Sequence, residues 1–365
     1  MKRLLSLDGG GIRGIFSIAV LERFEEILRE RYQHKKPGFV LADYFDFIGG
    51  TSTGAIIAAL LSKGQSIRAI REAYEQLGPI VFRKKPFWRS WRSFYGSEAF
   101  ADVLKDLFQE VDGSPMTLGS ERLGTLLMLV MRNGSTGSTW PITNHPEAIY
   151  NRRGPNGVPT NLDLPLWQLI RASAAAPAYF PVEQVELHST DGELKRFEFV
   201  DGGISPYNSP ALAMYLAATL PEYAINFSKG VDNLQLWSIG TGRLPSKRKS
   251  GELARDNLIG GTIHSLSGLI ESVEREQDKL CRVLGHCIHG DRIDSEIGSL
   301  LESGYGHFLY CRYTHRFTDQ DIAECRSKYG SKRPFSLDDL SSIPALLEIG
   351  RRYAAEHVHP EHFPE

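Results

Sequence analysis

Short apolar runs alternate along the chain with longer segments in which apolar residues recur at helical spacing. Residues 4–7 predict a buried strand that ends at Asp8, and residues 15–34 predict a helix with one apolar face. A second strand is predicted over residues 44–48, and the wholly apolar residues 55–61 predict a buried helix. Strands that alternate with helices in this way are typical of an α/β fold built on a largely parallel sheet.

The alternation continues through the rest of the chain. Further strands are predicted at residues 126–131, 197–200 and 234–239. After residue 212 the pattern predicts one strand, the one at residues 234–239, and then helices near residues 259–284 and 343–355. We therefore expect a first region over residues 3–212 and a C-terminal extension over residues 213–365 that packs on the same body.

Composition narrows the class of protein. The 365 residues are 41% hydrophobic and 24% charged, as in soluble globular proteins, and their net charge of −2 argues against a nucleic-acid binder. Four cysteines do not make a disulfide framework in so long a chain, and we interpret them as reduced thiols of a cytoplasmic protein. Because no apolar run is long enough to span a bilayer, any membrane contact is expected to be peripheral.

Residues 50–54 read Gly-Thr-Ser-Thr-Gly between a predicted strand and a predicted helix. This is the G-x-S-x-G pattern in the strand–turn–helix context that presents a serine nucleophile. A sharp turn would lift the Ser52 hydroxyl clear of the sheet, and Gly50 and Gly54 leave room for that turn. The first amides of the next helix would face a developing oxyanion. The alternative is a glycine-rich turn with an incidental serine.

Residues 8–14 read Asp-Gly-Gly-Gly-Ile-Arg-Gly and follow the first strand. Gly9, Gly11 and Gly14 also satisfy the G-x-G-x-x-G pattern of dinucleotide-binding folds, but the acidic residue that this pattern needs after the second strand is missing. A nucleotide-binding module therefore matches the pattern only in part, and it is kept as the alternative from a different class of protein. Consecutive bare amides predict instead an oxyanion hole. Its residues would be Gly9, Gly10, Gly11, Arg13 and Gly14. Arg13 would lock the loop, pair with an acid or hold a lipid phosphate.

A serine nucleophile needs a base, and Asp201 follows the strand predicted at residues 197–200. The C-terminal ends of strands are where open α/β sheets place their chemistry. An aspartate with a free pKa of about 3.9 is a weak base, so burial beside Ser52 would have to raise its pKa. The alternative base is a histidine. Among the histidines after Asp201, the candidates are His264, His286, His289 and His307, and none of them stands just beyond a clear strand end.

These motifs together resemble the patatin-like phospholipase family. They occur in the family's order at residues 8–14, 50–54 and 201–203, and the small residues at 172–181 resemble the family's helix that ends in Ala-Pro. The resemblance covers about residues 3–212. It implies a three-layer α/β/α fold with a mostly parallel central sheet, here followed by a helical C-terminal extension.

The resemblance also implies a reaction. Ser52 would be the nucleophile and Asp201 its base, with no histidine and no required cofactor. The oxyanion hole would come from amides of the glycine loop, and the substrates would be acyl esters of membrane glycerophospholipids. A hydrolase of this kind would be cytoplasmic and would bind the inner face of the membrane peripherally when active.

A narrower resemblance is to bacterial patatin-like phospholipases, among them effectors of CBASS antiphage defence. It rests on the compact length, on motifs that begin at residue 3 and on the extension after residue 212. It implies activation by a cyclic GMP–AMP-type dinucleotide and degradation of the cell's own membrane. A second copy of the chain, in a homo-oligomer, stays open as a further partner because the sequence does not determine the oligomeric state. A constitutive lipid acyl hydrolase without nucleotide gating is the alternative.

Two basic clusters and one group of cysteines and histidines complete the candidate chemistry. Residues 81–95 mix basic and aromatic side chains that would dock on a bilayer, cap the site or both. The alternative is a basic surface loop whose tryptophans are anchored in the core. The membrane-contact candidates are Lys84, Lys85, Trp88, Arg89 and Trp91. Residues 247–249 would bind a dinucleotide phosphate or form a solvated turn. Cys281, His286, Cys287 and His289 match no zinc spacing, so no metal site is predicted.

Overall fold

The computed structural model describes residues 1–81, 96, 98–153, 157–188, 192–245 and 258–364, with the backbone alone for 258–267. The strands in that part of the chain are β1 (Lys2–Leu7), β2 (Phe47–Thr51), β3 (Leu126–Asn133), β4 (Thr139–Thr143), β5 (Glu183–His188), β6 (Leu194–Asp201), β7 (Leu234–Ile239), β8 (His286–His289) and β9 (Leu309–Tyr313). The helices are α1 (Gly14–Tyr32), α2 (Thr53–Ser62), α3 (Ile67–Val81), α4 (Glu98–Leu107), α5 (Leu166–Ser173), α6 (Ala211–Thr219), α7 (Leu258–Leu284), α8 (Asp319–Tyr329) and α9 (Ile343–His357).

The nine described strands form one mixed sheet. Its order is β5-β6-β3-β2-β1-β7-β9-β8, and β4 also pairs with β3. Strands β1, β2, β3, β7, β8 and β9 pair in parallel, whereas β4 and β6 run antiparallel to β3, and β5 runs antiparallel to β6. The predicted α/β fold with a mostly parallel sheet is therefore confirmed.

Strand β1 shows why helices cover both faces of the sheet. Its side chains alternate, so Leu5 and Leu7 join the apolar cluster built with α1 and α2, while Leu4 joins the cluster built with α6. All three leucines are fully buried, and each such side chain stabilises the fold by about 1.5–3 kcal/mol. The result is the three-layer arrangement that the resemblance implied.

Strand β2 begins three residues later than the sequence predicts. Tyr44 directly follows a 3-10 turn over Leu41–Asp43, and the Asp46 carboxylate accepts a hydrogen bond from the Arg3 amide at 2.8 Å. These residues therefore make contacts outside the ladder. The strand continues through both glycines to Thr51 because β1 and β3 pair with it on either side.

The prediction of one strand after residue 212 is wrong, because β7, β8 and β9 all lie there. Strand β8 has only four residues, and β9 carries Arg312 inside its apolar run. Neither segment therefore shows the pattern of a buried strand. Both nevertheless belong to the same sheet as β1, so the C-terminal residues and the N-terminal residues share one core.

Candidate active site

The Ser52 turn joins the end of β2 to the start of α2. Ser52 has a φ of 54° and a ψ of −121°, a conformation that costs a residue with a side chain about 1–3 kcal/mol. Every residue of α2 is buried, so the helix cannot swing to relax the turn. The strand–turn–helix context predicted for Ser52 is therefore present in the structure.

Gly50 and Gly54 allow this turn because backbone packs directly on backbone. A Cβ at Gly50 would lie 2.1 Å from the carbonyl oxygen of Gly54, and a Cβ at Gly54 would lie 2.2 Å from that of Leu7. Real Cβ atoms do not approach backbone so closely. Both positions therefore require glycine for steric reasons, as the sequence indicated.

The Ser52 hydroxyl donates a hydrogen bond to the Asp201 carboxylate, with 2.7 Å between Oγ and Oδ2. The other carboxylate oxygen, Oδ1, accepts the Gly203 amide at 2.6 Å, and the Asp201 amide donates to the Ala175 carbonyl at 3.0 Å. Asp201 is thus fixed from three sides, and the pair has the contact that proton transfer needs.

Asp201 reaches the site by a route that the sequence did not predict. Its strand, β6, runs antiparallel to β3, and the two pair only over their last three residues, from Met131 opposite Asp201 to Asn133 opposite Phe199. Strand β6 therefore approaches from beyond the C-terminal end of the parallel strands. Its final residue still lies at that end, which is where the prediction had placed the carboxylate.

Burial sets the protonation of Asp201. With 5% of its surface exposed, the side chain loses the water that would stabilise its charge, and this raises its pKa to about 6. The hydrogen bonds from Ser52 and Gly203 and the positive charge of Arg171 oppose the rise. The carboxyl is therefore ionised at neutral pH, and its basicity is greater than that of an exposed aspartate.

Ser173 is a site residue that sequence reasoning missed. It is the last residue of α5, and its hydroxyl accepts the Ser52 amide at 2.9 Å while donating to the Val130 carbonyl at 2.6 Å. The only signal in the sequence is one hydroxyl among the small residues at 172–181. Ser173 therefore holds the backbone of Ser52, while the Ser52 hydroxyl bonds to Asp201.

The residues of the glycine loop (residues 8–14) are not equivalent. Four amides of the loop already have an acceptor. Gly9 donates to the Asn208 carbonyl and Ile12 to the Leu337 carbonyl. Arg13 and Gly14 donate within the loop, to the carbonyls of Gly10 and Gly11. Among the described residues, the amides of Gly10 and Gly11 have no acceptor. The loop also lies next to the serine, since a Cβ at Gly9 would come within 3.2 Å of the Ser52 Cβ. Within the glycine loop, these contacts narrow the candidate oxyanion donors to Gly10 and Gly11.

Arg13 contacts the backbone of its surroundings. Its Nη1 donates to the Gly242 carbonyl at 3.2 Å, and its Nε reaches the Gly10 carbonyl at 3.5 Å. Burial lowers the pKa of its guanidinium, against nearby acidic charges. These contacts favour the loop-locking role among the three that the sequence left open.

The histidines considered as alternative bases make other contacts. The ring of His289 stacks on Tyr313, and Nδ1 of His307 shares a hydrogen bond with the Tyr215 hydroxyl at 2.8 Å. The side chain of His264 lies outside the described residues. In the described part of the chain, the acceptor for the Ser52 hydroxyl is Asp201.

Several candidates fall outside the described residues. These are Lys84, Lys85, Trp88, Arg89 and Trp91, together with the basic residues 247–249. Within the ranges that are described, no group of three or more His, Cys, Asp or Glu side chains is placed to hold a metal. The four cysteines are free and buried. None of the described helices combines the length and the apolar character needed to cross a membrane.

Comparison with known proteins identifies relatives of the whole site region. Residues 5–215 match the model of a family described as patatin-like phospholipase. Patatin-2-Kuras 3 and Patatin-15 of Solanum tuberosum are each 31% identical to the chain over 248 residues, which cover 66% of this chain. The chain spans 61% of the length of these relatives. A solved structure, VipD from Legionella pneumophila, has a TM-score of 0.38 and 13% identity, over 95% of this chain and 67% of that chain.

Proposed function

Because the chain belongs to the patatin-like phospholipase family, we propose that it is a serine lipid acyl hydrolase that cleaves acyl esters of membrane glycerophospholipids. In this proposal Ser52 is the nucleophile and Asp201 is its only base. The observation that carries it is the 2.7 Å hydrogen bond from the Ser52 hydroxyl to a buried carboxylate. The glycine loop supports the same assignment, because it packs against Ser52 through Gly9 and the amides of Gly10 and Gly11 have no acceptor among the described residues.

The proposed reaction has two halves. Ser52 Oγ attacks the ester carbonyl while its proton passes to Asp201 Oδ2, and the amides of Gly10 and Gly11 stabilise the oxyanion of the tetrahedral intermediate. Asp201 then protonates the departing lysophospholipid oxygen, which leaves an acyl ester on Ser52. A water molecule gives its proton to Asp201 and attacks this ester. Collapse of the second intermediate releases the fatty acid and returns the proton to Ser52.

The contacts of the glycine loop argue against a dinucleotide site. A bound pyrophosphate needs free amides at the start of α1. Here the Ile12 amide donates to the Leu337 carbonyl at 2.9 Å, and the amides of Arg13 and Gly14 bond within the loop. Within the glycine loop, only the amides of Gly10 and Gly11 have no acceptor among the described residues, which suits a single oxygen atom.

Fatty-acid release from phospholipid vesicles tests the proposal. Wild-type protein should release fatty acid and react with a fluorophosphonate, and Ser52→Ala should lose both activities. Asp201→Asn should lower kcat by about 10³-fold or more, because asparagine cannot accept the Ser52 proton and Ser52 is then no longer activated as a nucleophile. The matched control is Asp321→Asn. Asp321 is as buried as Asp201, at 3% exposure, but lies in the first turn of α8.

Two outcomes would reject the dyad. One is full turnover by Asp201→Asn together with loss in a His289→Gln or His307→Gln variant, which would indicate a histidine-dependent esterase. The other is tight binding of a nicotinamide dinucleotide without fluorophosphonate labelling, which would indicate a nucleotide-binding module. Wild-type turnover that needs Ser52 and Asp201, and survives both histidine substitutions, supports the proposal.

The narrower proposal concerns regulation and location. In it, a cyclic GMP–AMP-type dinucleotide activates the hydrolase, which then acts as a peripheral protein, as a monomer or homo-oligomer, on the inner face of the cell's own membrane. This part rests on the narrower resemblance of the sequence. Vesicle assays with and without cyclic dinucleotides separate a gated enzyme, silent without ligand, from a constitutive one.

A further inference from the structure

The first residue of the glycine loop is a buried acid. Asp8 directly follows β1, and its side chain is completely buried. Its amide donates to the Ile239 carbonyl at 3.0 Å, so its backbone continues the pairing of β1 with β7. The carboxylate is therefore remote from solvent and too enclosed to meet a substrate, yet it stands two residues before Gly10.

Arg312 on β9 holds this acid. Its Nη1 and Nη2 approach the two carboxylate oxygens of Asp8 at 3.1 and 2.5 Å, a parallel two-bond contact that fixes the carboxylate in position and in angle. The Arg312 side chain has no exposed surface. Nη1 also donates to the Ser238 hydroxyl at 2.6 Å, which ties the guanidinium to β7.

Two further charges balance the pair. Glu274 of α7 accepts from Arg312 Nη2 at 2.6 Å, and it also accepts from Nε and Nη2 of Arg243 at 3.2 Å. The cluster of Asp8, Arg312, Glu274 and Arg243 thus holds two positive and two negative charges. A paired and hydrogen-bonded cluster of this kind tolerates burial, whereas removal of one member leaves an uncompensated charge.

The glycines that follow Asp8 pack on other residues of the C-terminal extension. A Cβ at Gly10 would lie 2.1 Å from the Thr241 hydroxyl oxygen, and one at Gly11 would lie 2.3 Å from the Leu337 carbonyl oxygen. Thr241 also donates to the Gly9 carbonyl at 3.2 Å. Glycines have no side chain to anchor them, so their amides point where these neighbours and Asp8 hold them.

We propose that Arg312 is a positioning residue for the reaction: through its two-bond contact with Asp8 it fixes the Gly10 and Gly11 amides in the orientation that stabilises the oxyanion. This inference rests on the proposed function. It places part of the catalytic geometry on a residue outside the stretch 5–215 that matches the family. Arg312 acts through Asp8 and touches no substrate.

The inference predicts a loss of rate without a loss of binding. Without Arg312, the buried Asp8 carboxyl has no cation beside it and takes up a proton, since burial already raises its pKa to about 6. Arg312→Gln should therefore lower kcat on phospholipid vesicles by about 100-fold, the effect expected of a donor displaced by about 1 Å. KM should change little, because the lipid site is unaltered.

The matched control is Arg282→Gln. Arg282 is equally buried and makes the same kind of two-bond contact with Asp278, at 3.0 and 2.8 Å, but it lies on α7 away from the glycine loop. Both substitutions should lower the melting temperature. Only Arg312→Gln should lower kcat in the folded protein, measured at a temperature well below both transitions.

A conservative variant and a double variant complete the experiment. Arg312→Lys keeps the charge but makes one bond, so its kcat should lie between those of the wild type and Arg312→Gln, and it carries the test alone if Arg312→Gln does not fold. Asp8→Asn combined with Arg312→Gln should lose no more than the larger single loss, because the two residues act as a unit.

Wild-type kcat in folded Arg312→Gln or Arg312→Lys overturns the inference. So does an equal loss of kcat in Arg282→Gln, which would mark a general effect of destabilisation. A wild-type protein that shows no Ser52-dependent fatty-acid release instead rejects the proposed function. The two failures are therefore distinguishable in one set of assays.

Discussion

The hydroxyl of Ser173 accepts a hydrogen bond from the backbone amide of Ser52 at 2.9 Å. The two serines are 121 positions apart in the chain. Because Ser173 also donates to the Val130 carbonyl, one hydroxyl connects the strained turn, the end of α5 and β3. The conformation of the proposed nucleophile therefore depends on a side chain that has no direct part in the chemistry.

Ser173→Ala should lower kcat by about 10-fold or more and lower the free energy of unfolding by about 1–3 kcal/mol, because the Ser52 amide and the Val130 carbonyl lose a buried partner. Vesicle assays and urea denaturation measure the two effects. Ser62→Ala is the control, since Ser62 is also fully buried and bonds to Thr125 at 2.9 Å, at the far end of α2. Equal activities in the two variants would contradict the supporting role of Ser173.

The pH dependence of turnover should show a single acidic limb. Asp201 must be ionised to accept the Ser52 proton, and its pKa is raised to about 6 by burial. We expect kcat/KM to rise with pH, to reach half of its maximum near pH 6 and to level off at about pH 7, without the contribution of a histidine. A pH–rate profile on a soluble short-chain ester measures this. A profile controlled by a group near pH 7 that disappears in a histidine variant would contradict it.

Asp201→Asn should become more stable relative to the wild type as the pH rises. Between its ordinary value of 3.8 and about 6, the folded wild type binds more protons at Asp201 than the unfolded chain does, so its stability falls as the pH increases through this range. Asparagine does not titrate. The difference in unfolding free energy should therefore grow by about 2 kcal/mol from pH 4 to pH 7.

Chemical denaturation at several pH values measures this difference. Asp8, whose pKa burial also raises to about 6, follows the same trend in both proteins and cancels. A difference that stays constant with pH would show that Asp201 ionises normally in the folded protein, and it would remove the physical basis for its role as a base.

Gly54→Ala should prevent the native turn from forming, because the added Cβ would meet the Leu7 carbonyl oxygen at 2.2 Å. We expect a loss of at least about 3 kcal/mol in stability and no measurable activity. Gly124→Ala is the control, since its Cβ would meet only the Ser62 carbonyl oxygen at 3.6 Å. Thermal unfolding of both variants tests the contrast, and a stable, active Gly54→Ala would mean that the turn is not packed as described.

Arg13→Gln should lower kcat by a similar factor on phospholipid vesicles and on an uncharged short-chain ester. The reason is that Arg13 holds the loop through the Gly242 and Gly10 carbonyls, which matters equally for both substrates. We expect a reduction of about 10-fold from the misplaced amides. A loss confined to the phospholipid, seen mainly in KM, would instead indicate that Arg13 binds the lipid phosphate.

Local features of the site could be predicted from the sequence, and long-range ones could not. The Ser52 turn and its two glycines occupy five consecutive residues, so the sequence alone predicts the turn and the need for glycine on both sides of it. The antiparallel direction of β6 depends on a partner strand about 70 positions earlier, and no local pattern encodes it. Arg312 interrupts the apolar run of β9, and no nearby residue indicates its role because its acidic partner, Asp8, lies 304 positions away.

The pairing of β1 has a consequence for any attempt to isolate the family-matched region. All six residues of β1 pair with β7, which enters the sheet only after residue 212. In a chain that stopped at 212, β1 would become an edge strand, and its row of unpaired backbone donors and acceptors would be open to strand addition by other molecules. We expect such a fragment to aggregate, so recombination that replaced the C-terminal part would have to supply a substitute strand.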